Sequence, residues 1–157
     1  MTSQDPKKSV FGFEVPEDSP GFLLWQTTIT WQRLIKKALD SYEISHPQFV
    51  IMAVALWLKE HHQDPTQVSI VRLSKLDKMT VSTSLKKLSL QGYVSRKESE
   101  KDTRAKWVNL TPQGKALVSK LIPMVEGIDA EFFGKVSQRD QQSLIQILGN
   151  LMAEIHD

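Results

Sequence analysis

Hydrophobic residues recur along most of this chain at intervals of three, four and seven positions, the spacing that places side chains on one face of an α-helix. Six segments show this pattern, and each is therefore predicted to be helical. The stripes of the second, fourth and sixth helices are predicted to be buried. In chain order the six stripes are Leu24, Trp31, Leu34, Ile35, Ala38 and Leu39; Phe49, Met52, Ala53, Leu56 and Trp57; Ile70, Val71, Leu73 and Leu76; Val81, Leu85 and Leu88; Leu117, Leu121, Val125 and Ile128; and Leu144, Ile147, Leu148, Leu151 and Ile155.

Residue types that favour helix starts precede most of these stripes. The predicted N-caps are Ser19, Ser45, Ser69, Thr111 and Ser137. Before the third helix, residues 68–70 are predicted to form a short β-like segment. Residues 77–79 are predicted to be a tight connection to the fourth helix, at about 80–91. Gly92 is predicted to stop that helix, because glycine adopts the left-handed backbone conformation without steric cost.

Two short segments after Gly92 have the character of strands. Residues 93–98 and 104–110 are predicted to pair as a β-hairpin, joined by the all-polar link 99–103. The two short helices before them, joined by about four residues, form a helix-turn-helix pattern. The predicted fold class is therefore mainly α with a small β-hairpin, in a winged helix-turn-helix arrangement.

The first 19 residues show no sustained period and are predicted to form an extended N-terminal arm. Within the arm, Val10, Phe11 and Phe13 either pack on a neighbouring subunit or fill local space. Residues 20–157 are enough for a single domain with its own hydrophobic core.

Charge is distributed unevenly along the chain. The formal net charge is only +2, yet ten Lys or Arg and four acidic residues lie between Ser69 and Thr111. The middle of the chain is therefore strongly basic, and the remainder is acidic overall. A basic face indicates a polyanionic partner such as nucleic acid, although scattered solvated lysines would give the same composition.

The composition argues against several other classes of protein. There is no cysteine, which excludes thiol chemistry, disulfides and cysteine-ligated metal. No apolar run approaches the ~20 residues of a membrane span, and the first residues lack the apolar core of a signal peptide. The cluster His61, His62 and Asp64 is interpreted as solvated residues at a helix end. No catalytic spacing or phosphate loop is present, so no metal, cofactor or enzymatic activity is predicted.

The stretch from Met79 to Gly114 resembles the DNA-binding core of the MarR family of bacterial transcriptional regulators. Its most specific parts are Asp102-Thr103-Arg104 and Leu110-Thr111-Pro112-Gln113-Gly114, which match the family's wing signature and the start of the next helix. Upstream, Thr80-Val81-Ser82 and Gly92-Tyr93-Val94 match the recognition helix and the turn into the wing.

The resemblance covers roughly Gly21 to Ile155, with Ser45-His46-Pro47-Gln48-Phe49 at the start of the second helix. It implies a homodimer whose terminal helices, here about 20–44 and 112–157, pair across a two-fold axis. The winged helix-turn-helix lobe would occupy about 46–111. It also implies a cytoplasmic repressor, nucleoid-associated when bound to a pseudo-palindromic double-stranded DNA operator. The alternative is a winged-helix protein-interaction module that does not bind DNA.

In such a regulator the recognition helix enters the major groove and the wing reaches an adjacent minor groove. Arg104 is expected to carry most of the wing contact, because narrow minor grooves attract guanidinium groups, and Asp102 would orient it. Relatives often have an arginine near Thr83, and its absence here leaves base specificity open. The predicted DNA-binding residues are Ser69, Lys78, Thr80, Ser82, Thr83, Lys86, Lys87, Arg96, Lys101, Asp102 and Arg104.

Many members of this family are switched by small phenolic or aromatic acids bound between the dimer helices and the DNA-binding lobe. The resemblance therefore implies a small aromatic ligand as a further partner. The candidate lining residues are Trp25, Trp31, His46, Met52 and Trp57. Each of them also fits the hydrophobic pattern of a core, so simple packing is the alternative for every one.

Overall fold

The computed structural model describes residues 9–98 and 106–153, which form six α-helices and one two-stranded antiparallel sheet. The predicted fold class, mainly α with a small β-hairpin, is confirmed. After a 3₁₀ turn at Pro16–Asp18, the elements are α1 (Pro20–Asp40), α2 (His46–Glu60), α3 (Gln67–Ser74), α4 (Lys78–Leu90), β1 (Val94–Glu98), β2 (Lys106–Leu110), α5 (Pro112–Phe133) and α6 (Gln138–Ala153).

Four of the predicted N-caps are confirmed by hydrogen bonds from the first helical turn. Ser19 Oγ accepts from the backbone N–H of Phe22 at 3.2 Å, and Ser137 Oγ accepts from that of Asp140 at 3.1 Å. Ser45 and Thr111 cap α2 and α5 in the same way. These bonds satisfy backbone donors that have no partner inside the helix, which is why the helices begin at these positions.

The third helix begins earlier than predicted, and its cap is Thr66 rather than Ser69. The backbone N–H of Ser69 donates to Thr66 Oγ1 at 3.1 Å, and Ser69 Oγ accepts from the backbone N–H of Thr66 at 2.9 Å. This reciprocal capping box makes residues 68–70 helical, so the β-like segment predicted there is wrong. Val68 and Ile70 favour strands, but the cap and the complete burial of Ile70 outweigh that preference.

The fourth helix also starts before its predicted position. Asp77 is its N-cap, since Oδ1 accepts from the Thr80 backbone N–H at 2.8 Å and Oδ2 from the Thr80 hydroxyl at 2.7 Å. These hydrogen bonds stabilise the carboxylate and lower the pKa of Asp77. The predicted stop is confirmed, because Gly92 has a φ of 83° and turns the chain out of α4.

Helix α2 lies at the centre of the fold and contacts α1, α3, α4, α5 and β2. Its Ile51, Met52 and Leu58 are almost fully buried. The largest buried side chains of the surrounding elements are Ile35, Leu39, Ile70, Val81, Leu85, Leu88, Val108, Val118 and Leu121. Trp57 was predicted to belong to the buried stripe of α2, which is wrong: it is exposed, and its ring stacks on His61 at 4.0 Å between centroids.

The hairpin is anchored to the helical core through β2. Val108 is buried, and its backbone N–H donates to the Pro65 carbonyl at 2.7 Å in the loop between α2 and α3. The register pairs Val94 with Leu110, Ser95 with Asn109, Arg96 with Val108, Lys97 with Trp107 and Glu98 with Lys106. The wing therefore leaves the core in a fixed direction next to the helix-turn-helix.

Both ends of the fold leave large hydrophobic side chains exposed. The start of α1 exposes four consecutive residues, the α1 patch: Phe22, Leu23, Leu24 and Trp25. Helix α6 makes few contacts with the rest of the described chain and exposes the α6 patch: Ile147, Leu148, Leu151 and Met152. The prediction that the α6 stripe is buried is thus wrong for the single chain as far as Ala153, and Ile155 lies outside the described residues.

Candidate nucleic-acid interface and adjacent cavity

Helix α4 presents one face to the core and the opposite face to solvent. Val81, Leu85 and Leu88 are completely buried against the rest of the lobe. The outer face of α4 follows the complementary helical spacing and consists of Met79, Thr83, Lys86 and Leu90, all of them exposed. A helix anchored in this way is free to place its outer face in a groove of DNA.

The predicted DNA-binding residues occupy different environments. Lys78, Thr83, Lys86, Lys87 and Arg96 are exposed, with the first four on α4 and Arg96 on β1, whereas Thr80, Ser82 and Ser69 are half-buried. Four of the predicted residues, Lys78, Thr83, Lys86 and Lys87, are therefore exposed on the same helix. Lys101, Asp102 and Arg104 lie outside the described residues.

Two of the half-buried hydroxyl groups already have partners within the chain. The Thr80 hydroxyl donates to Asp77, and Ser69 Oγ donates to the Thr66 carbonyl at 2.8 Å as part of the capping box of α3. Both hydroxyl groups are therefore already engaged with the N-cap residues of their own helices. Thr83 has the most exposed hydroxyl of the predicted residues on α4, which makes it the best placed of them to meet a base edge.

Exposed basic side chains lie on α4 and on two elements that contact it. Helix α4 contacts α3 and β1, and all three elements carry exposed basic side chains. These side chains are Arg72, Lys78, Lys86, Lys87, Arg96 and Lys97. Long basic chains around a helix that presents small polar groups are typical of a protein surface that follows the phosphate backbone.

A cavity of about 1080 Å³ lies between α1, the start of α2 and the C-terminal end of α4. Of the five residues predicted to line a ligand site, Trp31 and His46 line this cavity. Trp25 is exposed in the α1 patch, Met52 is buried in the core, and Trp57 lies at the exposed end of α2. The structure therefore brings together two of the five and separates the other three from them.

Trp31 and His46 are held in contact by burial and by one long-range hydrogen bond. Trp31 Nε1–H donates to Asp129 Oδ1 on α5 at 2.7 Å, and the indole meets the His46 ring edge-on at 5.3 Å. Burial lowers the pKa of His46, although the charge of Asp129 acts in the opposite direction. His46 is therefore neutral at pH 7 and presents a ring that both donates and accepts hydrogen bonds.

Two glutamines that sequence reasoning missed connect this cavity with α4. Gln48 is 1% exposed, and its Nε2 donates to Gln91 Oε1 at 2.8 Å. Gln91 follows the last residue of α4, lines the cavity, and donates through Nε2 to the Glu43 carbonyl at 3.0 Å. The capping-box spacing of Ser45 and Gln48 is a sequence signal that could have identified Gln48. Its contact with Gln91 joins residues far apart in the chain and has no such signal.

The helix-turn-helix of α3 and α4 and the hairpin that follows, together with the exposed basic side chains of α3, α4 and β1, define a winged-helix DNA-binding protein. Residues 40–127 match the winged-helix domain described as ArnR1-like. The chain is 34% identical to an uncharacterized HTH-type transcriptional regulator, YdcH of Bacillus subtilis, over 82% of this chain and 87% of that protein. The chain belongs to the MarR family of transcriptional regulators.

Solved structures show the same fold. A structure of BpsR from Bordetella bronchiseptica, described in terms of regulation of DNA binding by 6-hydroxynicotinic acid, superposes with a TM-score of 0.80 at 21% identity and covers 92% of this chain and 100% of that one. A variant of MarR from E. coli complexed with operator DNA superposes with a TM-score of 0.74 at 21% identity, covering 86% and 95%.

Residues 9–98 and 106–153 contain neither a membrane-spanning helix nor a metal cluster. None of the helices there is both long enough and apolar enough to cross a membrane. Nor does that part of the chain bring three or more His, Asp or Glu side chains together in a way that suits a metal ion.

Proposed function

We propose that this transcriptional regulator is a cytoplasmic homodimeric repressor that binds a pseudo-palindromic DNA operator. Each subunit places α4 in the major groove of one half-site, and Arg104 contacts the adjacent minor groove. The observation that carries the proposal is the outer face of α4, which is exposed and flanked by basic side chains while the opposite face anchors the helix. The MarR variant of the same fold was solved in complex with operator DNA, which supports operator DNA as the partner.

The division of the chain follows from this proposal. Residues 1–19 form an arm, and 20–157 form one domain with a DNA-binding lobe at about 46–111. The flanking helices, about 20–44 and 112–157, form the dimer. The α1 and α6 patches support this division, because exposed large hydrophobic side chains at both ends of the fold gain most from a partner subunit.

Arg104→Ala is expected to weaken operator binding about tenfold, because a guanidinium in a narrow minor groove gains from the concentrated negative potential there. The dimer loses two cations that contact DNA, one per subunit, so the slope of log affinity against log salt should also fall by about two. The measurement is fluorescence anisotropy on the operator retained from a random DNA library, repeated at several salt concentrations.

The matched control is Arg139→Ala, which removes the same charged group from an exposed position on α6. It should leave both affinity and salt slope close to those of the unchanged protein. Equal effects of the two substitutions would contradict the wing contact. If the unchanged protein retains no DNA at any salt concentration, the protein-interaction module becomes the better account.

We further propose that a small aromatic acid binds in the cavity and releases the operator. The indole of Trp31 and the imidazole of His46 offer faces and edges to an aromatic ring, and Arg33 and Lys87 on the cavity wall offer positive charge to a carboxylate. The ligand named for BpsR is an acid of this kind, which supports the choice of chemical class. Lys87 belongs to α4 and is also a predicted DNA-binding residue. A ligand carboxylate bound to Lys87 therefore competes with DNA for this side chain.

His46→Ala is expected to weaken binding of 6-hydroxynicotinate or 4-hydroxybenzoate about tenfold, since the substitution removes a half-buried hydrogen-bonding group from the cavity wall. Isothermal titration calorimetry measures the binding, and operator release by the same compounds is followed by anisotropy. The control is His61→Ala, which removes an exposed histidine from outside the cavity. Failure of both compounds to bind, or identical affinities for the His46 and His61 variants, would count against this ligand site.

A further inference from the structure

We propose that Met79 reads the C5-methyl group of a thymine in each operator half-site. This inference rests on the proposed placement of α4 in the major groove and adds a specificity contact to it. Met79 is the second residue of α4, and its side chain is 76% exposed. It lies on the outer face of α4, one turn before Thr83, and points away from the buried Val81 and Leu85.

The position of Met79 along α4 matters as much as its exposure. In helix-turn-helix proteins the N-terminal residues of the recognition helix are those that reach base edges. Leu90 lies on the same outer face and is 90% exposed, but it is the last residue of α4. Eleven residues of helix separate the two side chains by about 16 Å along the axis, so Leu90 lies beyond the half of the helix that meets bases.

In the first turn of α4, Met79 is the exposed side chain that is available to contact a base. Thr80 is committed to Asp77 through both its backbone N–H and its hydroxyl. Lys78 is exposed and has the length and charge suited to a phosphate. A thioether has no N–H or O–H to donate, so it cannot bond the acceptors of guanine, and as a weak acceptor it is poorly suited to the N6–H donor of adenine.

Thymine presents the one apolar group of the major groove, its C5-methyl. Methionine is flexible enough to cover such a group without a fixed backbone approach. Met79 therefore favours thymine over cytosine at one position, and Thr83 supplies the neighbouring polar contact. This assignment accounts for an exposed apolar side chain at the start of a helix that is otherwise surrounded by polar and basic residues.

The test replaces single thymines of the retained operator by uracil, which removes the methyl group and nothing else. The unchanged protein should lose about fourfold in affinity at one thymine per half-site, the factor expected for one buried methyl-sized group. Met79→Ala should bind the thymine operator about sixteenfold more weakly, because the dimer loses one methyl contact in each half-site, and it should become indifferent to uracil at that same position. Leu90→Ala, which shortens an exposed apolar side chain on the same face, should keep the affinity and the uracil penalty of the unchanged protein.

The possible outcomes separate the two proposals. If Met79→Ala keeps the full uracil penalty at every position while still binding the operator specifically, the methyl contact is overturned and the placement of α4 stands. If the unchanged protein shows no uracil penalty at any position, the contact is likewise overturned. If it retains no specific DNA sequence at all, the proposed function and the contact fail together.

Discussion

Leu151→Glu is expected to convert the dimer into a monomer and to abolish tight operator binding. Leu151 lies in the α6 patch and is 60% exposed in the single chain, so a charge there is tolerated by the protomer itself. In a two-fold interface the substitution occurs in both subunits. Each subunit then places an unpaired carboxylate among apolar side chains. The cost of several kcal/mol raises the dissociation constant of the dimer by about a thousandfold or more.

Sedimentation equilibrium of the full chain at micromolar concentration measures this change, and circular dichroism verifies that the helices are retained. The matched control is Gln146→Glu, which adds the same charge on the opposite, exposed face of α6. It should leave both the dimer and the operator affinity unchanged. A Leu151→Glu protein that stays dimeric and binds the operator normally would show that α6 is not part of the subunit interface.

The fold could be predicted from the sequence where local chemistry determines it. Four helix starts could be predicted from their N-cap residues, which are Ser19, Ser45, Thr111 and Ser137. Short hydroxyl side chains satisfy the first backbone donors of a helix whatever the tertiary context. The start of α3 was missed because Thr66 precedes a segment of strand-favouring residues. Its capping box with Ser69 uses two hydroxyl side chains rather than the more recognisable Ser or Thr with Glu or Gln.

The exposed face of α4 could be predicted from the sequence, whereas the lining of the cavity was much less predictable. A stripe of Val81, Leu85 and Leu88 defines the opposite face by helical geometry alone. Trp25 and Trp31 fit the same hydrophobic pattern, yet the first is exposed and the second lines the cavity. What distinguishes them is the bond of Trp31 to Asp129, on a helix 98 residues further along the chain, which no local pattern reports.

Hydrophobic spacing was also unable to separate a buried face from a subunit interface. The stripe of α6 has the same period as the stripe of α4, but only the latter is covered by its own chain. A period of 3.6 residues indicates that one face of the helix is apolar. It does not indicate whether the same chain or another subunit covers that face. The subunit interface is proposed from the resemblance to a dimeric family, because periodicity alone does not indicate it.

The glycine that ends the family's Leu-Thr-x-x-Gly signature has a direct physical explanation in this structure. Gly114 is buried in the first turn of α5, where a Cβ atom would lie 1.9 Å from the Tyr93 carbonyl oxygen and 2.8 Å from its carbon. The same carbonyl accepts the Thr111 backbone N–H at 3.0 Å, and the Thr111 hydroxyl donates to the Gly92 carbonyl at 2.6 Å. The start of α5 is thereby fastened to the turn that leads from α4 into β1.

Gly114→Ala is accordingly expected to lower the free energy of unfolding by about 3 kcal/mol, because the obstructing atoms are backbone and cannot rotate away. Operator affinity should fall as well, since any displacement of Tyr93 moves the junction between α4 and the wing. Gly127→Ala in the same helix is the matched control, because a Cβ there meets no atom within 4 Å. The control should gain up to about 1 kcal/mol from the higher helix propensity of alanine.

Urea unfolding at one fixed protein concentration compares the two variants with the unchanged protein. The expected result is opposite signs for Gly114→Ala and Gly127→Ala, with the operator affinity reduced only in the former. Equal stability of the two variants would mean that the start of α5 does not approach Tyr93 this closely. If Gly114→Ala lowers stability but leaves operator affinity unchanged, the substitution disturbs the packing of α5 without moving the wing. The start of α5 would then not determine the position of the wing.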